Sequence, residues 1–174
     1  MSSMFTIYCS VRRVSLRGPE QDLGRDSPIK VPSDIGDKMK KYKIGAVVAE
    51  FNYEVTMLMM ERAKAEAEFL GVEITKESKV PGCFEIPMAT KKLLEDKNID
   101  AVITLGAVIT GETKHDEVVI AQASRKIMDL SQDYGKPVGV GITGPGMTEL
   151  QAMDRIEKGR DVVDTVVKML QRLE

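Results

Sequence analysis

The feature that most constrains the fold is an alternation, from Lys43 onward, between short apolar runs and segments of helical period. Residues 44–49 form a run rich in β-branched side chains, and residues 55–70 then follow a helical spacing that ends at Gly71. A short apolar run of this kind is typical of a strand buried on both faces. Glycine directly after a helical pattern is typical of a helix C-cap. The pattern therefore predicts a strand followed by a helix.

The same alternation continues to the end of the chain. The predicted strands are 44–49, 72–80, 101–109 and 138–143, and the predicted helices are 55–70, 84–97, 114–134 and a segment over 147–174 that breaks near Gly159. This order indicates right-handed βαβ units and a parallel sheet covered on both faces. We therefore expect an α/β fold, a flavodoxin-like three-layer α/β/α sandwich with a four-stranded parallel sheet. In such folds ligands bind outside the carboxyl ends of the strands.

Residues 1–41 differ from the rest of the chain. Glycines and prolines interrupt them repeatedly, and no helical or strand period persists. The serines and arginines of the first eighteen residues weakly resemble an organelle transit peptide. We prefer a disordered N-terminal extension over 1–41 that precedes one domain over 42–174.

Deleting residues 1–38 is expected to leave the domain folded, because the periodic pattern begins only at Lys43. Circular dichroism and the soluble yield of the shortened chain would measure this. Loss of soluble protein would show that the extension is part of the fold.

Composition excludes several classes of function. A net charge of -2 over 174 residues argues against a general nucleic-acid binder, and no apolar run is long enough to cross a bilayer. Two cysteines, Cys9 and Cys83, do not make a disulfide framework, so we expect a reducing, cytoplasmic compartment. With His115 as the single histidine and no CxxC motif, we expect no metal site.

The first two loops at the carboxyl edge offer candidate binding groups. Phe51 follows the first strand, where it would be either an aromatic platform for a flat heterocycle or a residue packing the top of the core. Asn52 or Thr56 could cap the next helix. In the second loop, Gly82 permits a turn that exposes backbone amides. Glu85 is explained by the helix dipole alone, and a hydroxyl-binding role is the alternative.

The loop after the third strand is the most informative. Gly111 permits a turn, and Thr113 could cap the next helix with Asp116 as its reciprocal partner. Free amides at such a helix start bind anions. His115 lies within a turn of that site and suits proton transfer near neutral pH, although a lone histidine is equally well a surface residue.

The loop after the fourth strand is another flexible one, formed by residues 143–146. Arg155 is expected about two turns into the following helix. It would either reach back to an anion or lie on a solvated helix face.

Taken together, these loops resemble those of the lumazine synthase family, whose members make 6,7-dimethyl-8-ribityllumazine, the precursor of riboflavin. The likeness runs from about Lys43 to the end of the chain, and its last part is similar to the archaeal branch. The segments that carry it are Glu50-Phe51-Asn52, Val80-Pro81-Gly82-Cys83-Phe84-Glu85-Ile86-Pro87, Gly106-Ala107-Val108-Ile109, Gly111-Glu112-Thr113-Lys114-His115 and Tyr134-Gly135-Lys136-Pro137-Val138.

The resemblance implies condensation of 5-amino-6-(D-ribitylamino)uracil with 3,4-dihydroxy-2-butanone 4-phosphate, with no cofactor and no metal. It implies that His115 moves protons and that Cys83 is not a catalytic thiol. It implies that Phe51 stacks on the pyrimidine, and that Cys83, Phe84 and Glu85 bind the ribityl chain and the ring. Ala107, Val108 and Ile109 would contact the uracil edge, and Glu112, Thr113 and Arg155 would bind the phosphate. Val140 would make a contact from a neighbouring subunit.

The resemblance also implies a homo-oligomer whose sites lie between subunits of a pentamer, with the phosphate contact of Arg155 coming from a neighbouring subunit. Pentamer, decamer and sixty-subunit icosahedral shell remain open. Val140 stands where some members place an aromatic residue, so stacking there would be weak or absent. Residues 156–161 depart from the usual glycine- and lysine-rich stretch, which leaves no lysine contact assigned there.

Several alternatives remain. The archaeal type of riboflavin synthase shares the fold, and a non-catalytic shell or flavin-binding protein on this scaffold is a second class. A response-regulator-like module needs an acidic cluster at the strand ends, where the first strand offers only Glu50. A dinucleotide-binding interpretation lacks the GxGxxG motif.

Overall fold

The computed structural model describes residues 42–111 and 115–174, and it confirms the predicted fold class. The elements in chain order are β1 Lys43–Ala49, α1 Tyr53–Phe69, β2 Glu73–Val80, α2 Ile86–Leu94, β3 Ala101–Ile109, α3 His115–Tyr134, β4 Val138–Met147, α4 Glu149–Met153 and α5 Lys158–Leu173. The four strands pair in parallel in the order β2-β1-β3-β4. The order reverses between β1 and β3, where ligands bind in sheets of this kind.

Helices cover both faces of the sheet, so the core has two halves. Ile103 and Leu105 of β3 belong to the half shared with α1 and α5, whereas Val102 belongs to the half shared with α2 and α3. The alternation of side chains along a strand explains why one central strand serves both halves. Within the described ranges, no helix is long and apolar enough to span a membrane.

Two predicted boundaries were wrong by more than two residues. Strand β4 continues to Met147 instead of ending at 143, because its pairing with β3 shifts register between Ala107 and Ile109 and then resumes at Met147. An irregularity in an edge strand tolerates the glycines and the proline of this stretch. Helix α2 covers only Ile86–Leu94, since Lys136 Nζ donates to the carbonyl oxygens of Leu94 at 2.8 Å and Asp96 at 2.7 Å. Those bonds satisfy carbonyl groups that a longer helix would have used.

The break in the last helical segment lies at residues 154–157, just before Gly159. Helix α4 begins with a capping box in which Thr148 and Gln151 bond reciprocally, and α5 begins at Lys158. Gly159 is buried where α5 crosses α1. A Cβ added there would overlap the carbonyl oxygen of Met59 and would lie 2.7 Å from its carbonyl carbon. The two helices therefore meet backbone to backbone at this point.

The last residue of the chain lies beside the amino ends of the strands. Tyr42, which precedes β1, and Glu174 line one cavity of about 240 Å³ together with Asp100 and Pro137. Burial raises the pKa of Tyr42, and a hydrogen bond with the Glu174 carboxylate raises it further. This end of the sheet is opposite to the edge where the loops after the strands lie.

Replacing Thr90 with valine is expected to raise the free energy of unfolding by about 1 kcal/mol. Thr90 is fully buried in α2, and among the described residues its hydroxyl oxygen has no hydrogen-bond partner, which is unfavourable in a core. Urea unfolding would measure the change. The matched control is Thr104→Val, because the buried Thr104 hydroxyl donates to Gly139 O at 3.0 Å and its removal should destabilise the protein. Equal effects of both changes would contradict the expectation.

Candidate active site

A cavity of about 450 Å³ opens at the carboxyl ends of β1, β2 and β3. This volume is ordinary for a small-molecule site. Its lining residues are Phe51, Gly82, Cys83, Phe84, Glu85, Ala107, Val108, Ile109, Gly111, His115, Asp116 and Val119. Eight of these were expected from the sequence to bind substrate or move protons, so the structure brings them to one place.

Phe51 forms one wall of the cavity. Its side chain is 71% exposed, so it does not pack the top of the core, which was the alternative interpretation. The backbone holds its position, since Phe51 N donates to Pro81 O at 3.0 Å in the neighbouring loop. An exposed aromatic ring on a fixed backbone is suited to stacking on a flat ligand.

The predicted side-chain cap of α1 was wrong. Asn52 has a left-handed backbone, with φ at 57°, and its side chain makes no cap hydrogen bond. Its carbonyl oxygen accepts the N–H groups of Val55 and Thr56, while its Nδ2 donates to Ala107 O at 2.8 Å. The Thr56 hydroxyl donates to Tyr53 O. Asn52 therefore uses its side chain to reach across the sheet edge.

The second loop supplies the floor of the cavity. Cys83 is buried, Phe84 is exposed, and Glu85 directly precedes α2, with Pro87 in the first turn as predicted. Burial raises the pKa of the Cys83 thiol to about 11, and the charge of Glu85 adds to the shift, while the backbone of Ala107 partly lowers it. Cys83 is therefore a neutral thiol at physiological pH.

The thiol of Cys83 is expected to react slowly with iodoacetamide at pH 8 in the folded protein and rapidly in urea, because the thiolate is the nucleophile. The rate of mass increase in a Cys9→Ser background would measure this. Raising the pH from 9 to 11 should also destabilise the fold, since the folded pKa lies above the ordinary value of 9.0 and the unfolded thiol loses its proton first. Alkylation of Cys83 at equal rates in both states would contradict the buried neutral thiol.

The described part of α3 begins at His115, whose side chain is exposed at the cavity. Asp116 is buried, and its Oδ2 accepts the N–H of Gly146 at 3.1 Å. This bond ties the start of α3 to the end of β4. Thr113, the predicted capping partner of Asp116, lies outside the described residues. Glu112 lies outside them too, and so does the expected anion site that these two residues would form.

Two expected residues do not line the cavity. Val140 lies on the edge strand β4 with its side chain 37% exposed. Arg155 was expected within a helix but lies in the turn at 154–157, and its Nη1 donates to Gln151 O at 2.9 Å. Neither residue is among the lining residues of this cavity within one subunit.

Four lining residues were not expected to bind substrate from the sequence. Three of them were assigned other roles, and one was not singled out. Gly82 and Gly111 were expected to form turns, and Asp116 was expected to cap a helix, yet each lines the cavity. Val119 was not singled out. Its spacing of four residues from His115 places it on the same face of α3, which is the signal that could have found it.

The acidic and basic side chains of the described lining are those of Glu85, Asp116 and His115, with no lysine or arginine among them. In the part of the chain that the structure describes, no three acidic, histidine or cysteine side chains converge as metal ligands would. The visible chemistry is therefore an aromatic wall, a floor containing a neutral thiol, backbone groups of β3 and one imidazole.

Known proteins match most of this chain. Residues 41–174 match the family described as 6,7-dimethyl-8-ribityllumazine synthase. Proteins with that name are 57% identical in Methanothermobacter thermautotrophicus, over 78% of this chain and 98% of that protein, and 54% identical in Picrophilus torridus, over 76% and 97%. One from Archaeoglobus fulgidus is 51% identical over 78% and 95%. This chain therefore belongs to the 6,7-dimethyl-8-ribityllumazine synthase family.

Proposed function

We propose that this chain condenses 5-amino-6-(D-ribitylamino)uracil with 3,4-dihydroxy-2-butanone 4-phosphate to give 6,7-dimethyl-8-ribityllumazine, phosphate and water in riboflavin biosynthesis. The observation that carries the proposal is the single cavity that gathers eight residues of the family's loops. The names of relatives that are 51–57% identical support it and favour this reaction over the riboflavin synthase alternative.

The pyrimidine substrate would occupy the part of the cavity nearest β1 and β3. Phe51 would stack on its ring, Ala107, Val108 and Ile109 would meet its uracil edge, and the loop of Cys83, Phe84 and Glu85 would bind the ribityl chain. Because the substrate amine is the nucleophile, the protein needs no covalent nucleophile. The raised pKa of the Cys83 thiol is consistent with that.

The phosphate substrate would lie beside α3. Backbone amides at Glu112 and Thr113, with the Thr113 hydroxyl, would hold the phosphate. The Glu112 carboxylate would point away from it, since like charges repel. His115 would move protons while an imine forms, phosphate leaves and the ring closes with loss of water.

A second subunit would complete the site. The described lining holds two carboxylates and no lysine or arginine, so a cation from a neighbouring subunit would favour binding of the dianionic phosphate. Arg155 of a neighbouring subunit would supply it, and Val140 of that neighbour would lie near the pyrimidine. We propose a cytoplasmic homo-oligomer built from pentamers, either free or assembled into a sixty-subunit shell.

The test mixes the purified full chain with both substrates and follows the fluorescence of the lumazine product. Product formation well above the uncatalysed background supports the proposal. Turnover of the lumazine itself, without the butanone phosphate, would instead identify a riboflavin synthase. An assembled protein without either activity would identify a non-catalytic shell or flavin-binding protein.

A further inference from the structure

Hydrogen bonds from Phe51 and Asn52 tie the loop after β1 to the loop after β2 and to the end of β3. Phe51 N donates to Pro81 O at 3.0 Å, which links the loop after β1 to the loop after β2. Asn52 Nδ2 donates to Ala107 O at 2.8 Å, which links the same loop to the end of β3. The aromatic wall at Phe51 is therefore held from both sides, and adjacent residues make the two bonds.

The backbone of Asn52 adds a second constraint. Among non-glycine residues in the described ranges, only Asn52 has a positive φ, and its carbonyl oxygen accepts the first N–H groups of α1. Asparagine tolerates the left-handed region better than most side chains, and glycine tolerates it best. The turn alone would be served by glycine, so the amide side chain is explained by its bond to Ala107.

We infer that Asn52 is a positioning residue for the pyrimidine substrate. By fixing the Ala107 carbonyl, its amide sets the separation between the Phe51 ring and the end of β3, which is the gap a flat ring must enter. Asn52 itself acts through these neighbours and lies outside the cavity lining. This inference rests on the proposed function, because that function places the pyrimidine in this gap.

Asn52→Gly tests the role of the side chain separately from that of the backbone. The substitution removes the Nδ2 donor and keeps a favourable left-handed turn. We expect the KM for the pyrimidine to rise about tenfold, the effect of roughly one lost hydrogen bond. The KM for the butanone phosphate should change less than twofold, and the melting temperature should remain within a few degrees of that of the unmodified protein.

Asn52→Ala is the matched control for backbone strain. It removes the same donor and forces a Cβ into the left-handed region, so it should melt below Asn52→Gly while showing the same rise in the pyrimidine KM. Agreement of the two KM values with different melting temperatures would assign the effect to the amide. A purely structural residue would change both KM values and the melting temperature together.

The inference and the proposed function fail in different ways. An unreactive pyrimidine carries a nitro group in place of the 5-amino group. Its affinity measures how well the gap between Phe51 and β3 accepts a pyrimidine ring, without turnover. If the unmodified protein neither binds it nor forms product, the proposed function is wrong. If the unmodified protein is active and Asn52→Gly retains its KM for the pyrimidine and its affinity for the nitro compound, the inference is overturned. Equal losses for both substrates would overturn it as well.

Discussion

Replacing Gly159 with alanine is expected to lower the free energy of unfolding by about 3 kcal/mol, near the upper end of typical overpacking effects. Alanine favours a helix by roughly 1 kcal/mol over glycine, but this gain is smaller than the clash. The added Cβ would overlap the Met59 carbonyl oxygen, which belongs to the backbone of α1 and cannot rotate away. Helices α5 and α1 would have to separate, and the packing around Val162 and Val163 would loosen.

Urea unfolding at a fixed protein concentration would measure this effect, since assembly makes stability depend on concentration. The control is Gly111→Ala, where an added Cβ meets none of the described residues within 4 Å and the backbone is not left-handed. Its stability should change by less than about 0.5 kcal/mol. An unchanged midpoint for Gly159→Ala would show that α5 can move away from α1 freely.

Replacing His115 with alanine is expected to lower kcat by roughly 10²-fold or more, the usual weight of a proton-transfer group. His115 contributes the only imidazole of the chain and lies at the cavity beside the loop proposed to bind phosphate. Because its side chain is exposed, the substitution should leave the melting temperature unchanged. The initial rate of lumazine formation at saturating substrates would measure the loss.

The matched control for His115 is Glu117→Gln, an exposed change in the same helical turn at a position outside the cavity lining. This variant should keep kcat within about twofold, because surface changes away from a site have small effects. A full rate for His115→Ala would remove the imidazole from the mechanism. Equal losses in both variants would point to the helix start instead of to a proton transfer.

The order of strands and helices could be predicted because each element follows a single period. The β-branched run of β1 and the uninterrupted run of β3 allow no helical interpretation at that length, and Gly71 and Gly135 end helices with left-handed backbones. Because the carboxyl ends of parallel strands lie at one edge of the sheet, the loops after the strands were expected to lie together at that edge. Phe51, Glu85 and His115 therefore meet, although they are far apart in sequence.

The missed features depend on contacts that have no local pattern. Asn52 precedes a helix, which favours a cap, but its backbone is left-handed and its side chain is held by the bond from Nδ2 to the Ala107 carbonyl, so its Oδ1 makes no cap bond. Asp116 likewise bonds to Gly146, thirty residues away. The helical period over 147–174 does not reveal the turn that contains Arg155. Tertiary partners decided the positions of the Asn52 and Asp116 side chains, and a single sequence does not display those partners.

The meeting of Tyr42 with Glu174 has a practical consequence. The cavity lies at the carboxyl ends of the strands, whereas these two residues lie at the amino ends. A linker of a few residues could connect Glu174 to Tyr42 at the amino ends of the strands. A surface or dye coupled at residue 174 would likewise lie away from the mouth of the cavity. Immobilisation through this end should therefore leave the approach of small molecules unobstructed.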